Sequence, residues 1–181
     1  MAKSNNTLCL DKFYPERDLM ITDIAQQSDK IIIRMKSTSS SCKCPKCNHI
    51  TQKYHGTYTR KVQDLPILGK QVQLEICSHE YACLNDECEA VSIAETFDGF
   101  LNNYSRMTER CADFICTLAL ETSCEGCARV CHTLGIKTSG DTVIRLLLKR
   151  YESLPQPEVS DVIGVDDFAY KKRHTYAMSL T

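Results

Sequence analysis

The chain has 181 residues, 43% hydrophobic and 25% charged, a balance that excludes disorder and fibrous repeats and suits one ordinary domain or two small ones. Lys and Arg number 22 against 23 Asp and Glu, a formal net charge of −1, so any contact with nucleic acid or membrane has to come from a local patch. Cysteine is the outlying residue, with 12 in the chain, below the density at which composition alone implies a disulfide scaffold. No apolar run approaches the ~20 residues of a membrane helix, and the start Met1-Ala2-Lys3-Ser4 leads into no apolar signal core. A cytoplasmic protein with no membrane partner is expected, and in that reducing compartment cysteines read first as metal ligands and second as small buried apolar residues.

Leu19 to Ile24 and Lys30 to Met35 flank the polar turn Gln26 to Asp29, which predicts a hairpin. Ile31, Ile33 and Met35 alternate with Ile32 and Arg34, the pattern of a strand covered in part on both faces. A Ser-rich linker, Ser37 to Ser41, leads to the first cysteine cluster. A second hairpin follows, with Tyr58 to Leu65 as one arm, Leu68-Gly69-Lys70 as the turn and Val72, Leu74 and Ile76 on the return.

Near Asn102 the period changes to that of helices. Met107, Cys111, Phe114, Ile115, Leu118 and Ala119 recur at helical spacing, with Thr108 and Glu109 at the start. Ser123 caps a second helix with an apolar face of Cys127, Val130, Cys131 and Leu134, and Gly135 is its left-handed stop. Ser139 caps a third helix, whose inner side is expected to be Val143, Ile144, Leu147 and Leu148. Three helices joined by a tight Gly-bearing connection have the grammar of a helix-turn-helix. After the linker Leu154 to Glu158, Val162 to Val165 reads as a short strand ending in Asp166-Asp167, and Tyr176 to Leu180 as another.

Cys44-Pro-Lys-Cys47 and Cys83-Leu-Asn-Asp-Glu-Cys88 are the sharpest chemical signal. Zinc takes four soft ligands in a tetrahedron, and two-residue to four-residue gaps let one tight turn present two thiolates to one ion. Cys42 and His49 stand close enough to be alternative ligands, each through a less regular turn. Cys124, Cys127, Cys131 and His132 resemble a second metal or redox motif, but they fall inside the amphipathic second helix and read as core cysteines. His55, His79 and His174 lack ligand-spaced partners. On the third helix Gly140, Asp141, Thr142, Arg145 and Lys149 occupy the exposed side. In a helix-turn-helix the start of this helix meets base edges and later basic residues meet phosphate, which makes Thr142, Arg145 and Lys149 the DNA-binding candidates. Lys53, Arg60 and Lys61, interleaved with Tyr54 and Tyr58, are further basic candidates on the hairpin.

The order of these motifs carries a resemblance. Cys-Pro-x-Cys, then Tyr58-Thr-Arg-Lys-Val-Gln-Asp-Leu-Pro-Ile-Leu-Gly-Lys70, then Cys83 and Cys88, resembles the zinc-finger region of the ISL-three family of insertion-sequence transposases. The stretch from Leu134 to Arg145 resembles that family's helix-turn-helix, and Gly164 to Tyr176 resembles the opening of its catalytic domain. The resemblance implies a ribonuclease-H-like domain with a DDE triad whose first member, carried over by position, is Asp166. In the family such carboxylates hold two divalent ions, Mg²⁺ or Mn²⁺, for phosphodiester transfer.

The expectation is therefore an α+β chain in three parts: a zinc-stapled β-hairpin module over residues 1–98, a helix-turn-helix module over 99–153, and a linker with an incomplete ribonuclease-H-like stub over 154–181. The expected role is that of the N-terminal part of a DDE transposase, holding structural Zn²⁺ and recognising double-stranded DNA at terminal inverted repeats, either alone or as a homo-oligomer. Strand cleavage is expected only of a full-length protein with the remaining carboxylates and Mg²⁺ or Mn²⁺. A stand-alone zinc-containing DNA-binding regulator that competes with an intact transposase is the alternative. A thiol redox protein using Cys124 and Cys127 is the poorest fit, since no βαβ context surrounds the pair.

Overall fold

The computed structural model describes Tyr14, residues 18–155, and the strands at 165–171 and 175–180. It divides into two compact units, Met1–Leu148 and Lys149–Thr181. The expected boundary at residues 98 and 99 lies inside the first unit.

The first hairpin forms as expected, β1 (Leu19–Gln26) pairing antiparallel with β2 (Lys30–Ser37). Two short strands, β3 (Cys42–Lys43) and β4 (Ile50–Thr51), frame the first cysteine pair. The second hairpin is longer than the sequence pattern predicts: β5 (Tyr54–Ile67) pairs antiparallel with β6 (Lys70–Ala82). Leu68 and Gly69, at φ 51° and 75°, form the tight turn with two left-handed residues whose twist matches the strands. The two hairpins merge because β2 pairs parallel with β6, giving the strand order β1-β2-β6-β5, and β7 (Ser92–Ala94) adds to the far end of β6.

Alternation divides this sheet into two faces. Ile33, Met35, Val62, Val72, Leu74 and Ile76 are buried on one face and pack with Tyr14, Phe97, Phe100 and Leu101. The opposite face carries Lys30 and Arg34 on β2, Gln71, Gln73 and Glu75 on β6, and Lys61 and Gln63 on β5, with Gln63 directly opposite Gln73 and Lys61 opposite Glu75. Ile32 is nonetheless also buried, in keeping with the mixed pattern of β2.

Helix α1 (Glu109–Leu120) is capped by Thr108, whose side chain accepts from the Cys111 N–H. Helix α2 (Cys124–Leu134) is capped by Ser123 through the Gly126 N–H. At its C-terminal end Gly135 sits at φ 90°, its N–H reaching the His132 carbonyl while the Ile136 N–H reaches that of Cys131, a Schellman closure. Helix α3 (Gly140–Ser153) starts at Ser139, whose hydroxyl accepts from the Thr142 N–H at 3.3 Å. Cys111, Ile115, Ala119, Cys127, Cys131, Ile136 and Val143 form one buried cluster.

The helix faces differ from the sequence expectation in detail. On α2, Val130 and Leu134 are 40% and 41% exposed, because the buried stripe is Cys127, Ala128 and Cys131 and the other two lie on its flank. On α3, Ile144 and Leu148 are 45% and 55% exposed, while Val143, Leu146 and Leu147 face the core. The strips 143/147 and 144/148 stand side by side on a helix, and a periodic pattern cannot tell which of two adjacent apolar strips is covered.

Sheet and helices are tied inside the first unit. Asp64 on β5 is fully buried and accepts from Tyr14 Oη at 3.0 Å, Thr108 Oγ1 at 2.7 Å and Arg110 Nε at 2.8 Å. The Arg110 guanidinium also lies over the Tyr14 ring, 4.7 Å from its centroid. In the second unit β8 (Val165–Lys171) pairs antiparallel with β9 (Thr175–Leu180). Among the described residues the strand runs through Asp166 and Asp167 instead of stopping before them; residues 162–164, where the sequence places it, and His174 lie outside the described residues.

Candidate metal centre

Each cysteine pair sits in a turn that its own sequence shapes. After Cys44-Pro45-Lys46-Cys47 the chain reverses at Asn48, which takes φ 60° and donates its N–H to the Cys44 carbonyl at 2.9 Å, while the Cys44 N–H reaches the His49 carbonyl at 2.8 Å. Asn tolerates this left-handed conformation better than most residues. In the second turn Asn85 accepts from the Glu87 N–H through its side chain and from the Cys88 N–H through its carbonyl, folding the four-residue gap back on itself. Thr51 on β4 then joins the two turns, its hydroxyl donating to the Ala82 carbonyl beside Cys83 at 2.8 Å.

The result brings the thiols of Cys44, Cys47, Cys83 and Cys88 within 4.8 Å of one another. Cys44 Sγ and Cys88 Sγ are 3.8 Å apart, and Cys47 Sγ and Cys83 Sγ 3.7 Å. A disulfide needs about 2.05 Å. A tetrahedron with Zn–S near ~2.3 Å places its sulfurs about 3.8 Å from each other, so the separations fit a tetrathiolate zinc site. Tyr81 and Ile93 pack beside this cluster, shielding one side while Cys47, Cys83 and Cys88 remain half-buried.

Two of the thiols are shifted in opposite directions by their surroundings. A hydrogen bond from the His49 backbone, joined by the Asn85 side chain, pulls the Cys47 thiol down to about 6. Cys83 moves oppositely: the Asn85 backbone favours its thiolate, but burial and the neighbouring sulfurs outweigh that and push it up to about 12. Four thiols this close cannot all carry charge unaided, and a divalent cation at their centre removes the conflict.

The alternative ligands stand apart from the cluster. Cys42 is buried against the Lys43 and Ala94 carbonyls, and burial followed by the charge of Glu95 raises its pKa. His49 contributes its backbone carbonyl and leaves its side chain exposed. Cys127 and Cys131 are fully buried 4.0 Å apart in the helical core, Cys127 donating to the Ile115 carbonyl, and burial pushes Cys131 up to about 12. His132 is exposed and faces the Thr138 carbonyl at 2.8 Å. Among the described residues only the first cluster gathers three or more metal-ligating groups. His79 packs edge-on between the Tyr54 and Tyr81 rings, and His55 is exposed.

The basic candidates lie on two elements, α3 and β5. Arg145 and Lys149 are exposed one turn apart on α3, with Arg145 Nε donating to the Asp141 carbonyl at 3.3 Å and Thr142 half-buried beside it. Arg60 and Lys61 lie on opposite faces of β5: Arg60 donates to the Asn102 and Ser105 carbonyls, both at 3.0 Å, while Lys61 is exposed, 3.8 Å from Glu75.

Residues 40–88, which span all four clustered cysteines, match the zinc-finger of transposase IS204/IS1001/IS1096/IS1165. Over 151 residues the chain is 27% identical to the transposase for insertion sequence element IS1001 of Bordetella parapertussis, covering 80% of this chain and 34% of that protein. The chain thus spans about a third of the length of the curated relative it matches. No solved structure matches it. The chain is therefore similar to an insertion-sequence transposase over most of its length, and residues 40–88, with all four clustered cysteines, match the zinc-finger of that class of transposase.

Proposed function

We propose that this chain is the zinc-stapled DNA-recognition part of a transposase, with Cys44, Cys47, Cys83 and Cys88 holding structural Zn²⁺ and α1 to α3 acting as a helix-turn-helix that reads the element's terminal inverted repeats. The observation that carries the reading is the four-thiol cluster, with separations that fit zinc, inside the segment that matches a transposase zinc-finger. Zinc here supplies cross-linking only: four protein sulfurs leave no open position for a reacting ligand.

The helices support the second half of the proposal. Ser139 caps α3 and fixes its first turn, which leaves Thr142 near its start and Arg145 and Lys149 along the exposed side. Thr142 and Arg145 are the base-reading candidates, and Lys149 is placed to meet phosphate. Asp166, at the second position of β8, is proposed as the first carboxylate of a DDE triad in a ribonuclease-H-like domain, where Mg²⁺ or Mn²⁺ would be held in a full-length protein. A cytoplasmic location fits a DNA-directed role, and among the described residues no helix is long and apolar enough to cross a membrane.

Fluorescence anisotropy with duplexes carrying the element's terminal repeats tests the recognition role. Wild type is expected to prefer repeat over scrambled duplex. Arg145→Ala is expected to relax that preference and Lys149→Ala to weaken both equally, flattening the salt slope by about one unit. Equal binding of repeat and scrambled duplex by the wild-type chain would overturn repeat recognition.

A further inference from the structure

The polar face of the sheet holds a feature that neither the zinc cluster nor α3 uses. An open cleft of about 190 Å³ lies where β2, β5 and β6 meet the connection between α2 and α3. Four cations line it: Lys30 from β2, Lys61 from β5, Arg106 from the loop before α1, and Lys137 from the α2–α3 connection. No carboxylate lines it among the described residues, in a chain whose acids and bases otherwise balance. Glu75, outside the lining, is shared among Arg34 at 3.1 Å, Lys61 at 3.8 Å and the Gln73 amide N–H at 3.1 Å.

The cations are held in place by backbone geometry. Gln63 receives the decisive contacts: its N–H donates to the Arg106 carbonyl at 2.8 Å, and its side-chain amide both accepts from the Lys137 N–H at 2.8 Å and donates to the Lys137 carbonyl at 3.3 Å. One strand residue thereby fixes the backbones of two exposed cations from separate segments. On the opposite wall Lys30 Nζ rests on Gln73 Oε1 at 2.5 Å, and Gln71 and Gln73 add polar groups between the charges. Lys, Arg and Gln are among the side chains that contact phosphate oxygens in protein–DNA interfaces, and such contacts position a duplex without reading it.

The cleft also lies close to the helix proposed to read bases. Lys137 is three residues ahead of Gly140, the first residue of α3, so their Cα atoms are at most about 11 Å apart along the chain. We infer that this cleft is a second DNA contact, a clamp for the phosphodiester backbone of the same duplex that lies against the start of α3. The inference rests on the DNA-binding reading above and extends the footprint from the helices onto the β-sheet. Lys137 and Arg106 engage phosphate directly, Lys30 and Lys61 add field, and Gln63 is the positioning residue.

The test uses the zinc-loaded chain and a mixed-sequence duplex of 30 base pairs, with dissociation constants measured across a salt series. The Arg106→Ala/Lys137→Ala variant is expected to bind every duplex more weakly, with a salt slope reduced by about two units, at about 0.9 per phosphate lost. Its zinc content and melting temperature should match wild type. Should that pair melt early, Arg106→Gln/Lys137→Gln removes the same charges with longer polar side chains and carries the same expectation. Wild-type slope and affinity in the charge-neutralised variant, with Lys149→Ala still weakened, would overturn the clamp and leave the DNA reading standing. Weaker binding at an unchanged slope would also overturn it, since no counterions would then be released at the cleft. If the wild-type chain binds no duplex at all, the DNA reading fails and the clamp with it.

Discussion

Gln63 on β5 and Lys137 between α2 and α3 are joined as two peptide groups would be, the Gln63 amide accepting the Lys137 N–H at 2.8 Å and donating to its carbonyl at 3.3 Å. The side chain mimics one step of a β ladder and carries the sheet's hydrogen bonding across to the helices. Its own backbone does the same one segment earlier, pairing with Arg106 and Thr108. A neighbouring close approach, with a Cβ built on Gly135 3.4 Å from Gln71 Cγ, shows how tightly this turn lies on the sheet.

Gln63→Ala should therefore loosen the helices from the sheet without touching the zinc centre. Two solvent-exposed hydrogen bonds, at the low end of roughly 0.5–1.5 kcal/mol each, give an expected loss of about 1 kcal/mol in denaturant unfolding, with zinc content unchanged. Gln63→Glu keeps an acceptor for the Lys137 N–H but sets a carboxylate oxygen against the Lys137 carbonyl, so it should recover less than half of the loss. A wild-type unfolding midpoint in Gln63→Ala would show that the join is peripheral.

Removing the metal is the larger perturbation. The cysteine-bearing module, residues 42–51 and 83–94, packs around a small buried cluster of Cys42, Cys44, Tyr81 and Ile93, apart from the main sheet core. Zinc ligation is expected to contribute on the order of 10 kcal/mol there. Cys83→Ser/Cys88→Ser should leave the purified chain without zinc by elemental analysis, and a strong chelator should unfold this module while the helical core keeps its far-ultraviolet signal. Because the ligands bind as thiolates, zinc should be released as pH falls and protons compete for sulfur. Full zinc content in the double variant would remove these cysteines from the ligand set.

Asp64 gives the fold a second, independent pH dependence. Burial works against its charge, yet hydrogen bonds from Arg110 and Thr108, the Arg110 charge and the Leu65 N–H outweigh that and hold the carboxyl below its ordinary range. A carboxylate with a depressed folded value adds stability that is fully present above the unfolded value near ~3.9 and is lost as pH falls through the folded one. Asp64→Asn should cost about 2 kcal/mol at neutral pH, through the charged hydrogen bonds it gives up. Its stability should also change less than wild type's below pH ~4. Parallel acid-unfolding curves for the two proteins would refute this assignment.

The residues that were legible in the sequence are those whose signal is local. Ser123, Gly135 and Ser139 mark helix ends through their own backbone chemistry, and Leu68-Gly69 marks a hairpin through its turn. Cys44, Cys47, Cys83 and Cys88 were legible because short gaps constrain ligand geometry before any fold exists. The parallel pairing of β2 with β6, by contrast, joins residues about 40 positions apart and leaves no periodic mark on either strand. Gln63 reads as an ordinary polar strand residue, because its partner lies 74 positions away. Arg60 looks basic and available in the sequence, but its guanidinium secures the loop at Asn102 and Ser105.

Asp166 supplies the last prediction. It is the second residue of β8 and stands opposite Ser179 of β9, while Asp167 stands opposite Met178. Carboxylates that hold catalytic divalent ions need rigid support, and a paired strand gives the backbone at both positions that support. Single substitutions test the two acids separately. In a protein extended to the length of the IS1001 relative and supplied with Mg²⁺ or Mn²⁺, Asp166→Ala is expected to abolish strand cleavage. Duplex affinity should stay at its wild-type value, because the proposed recognition surfaces lie at α3 and the sheet cleft. A single carboxylate is a weak ligand for such ions, so its loss is felt only where partner carboxylates complete the site. Cleavage that survives Asp166→Ala and disappears in Asp167→Ala would move the catalytic position by one residue.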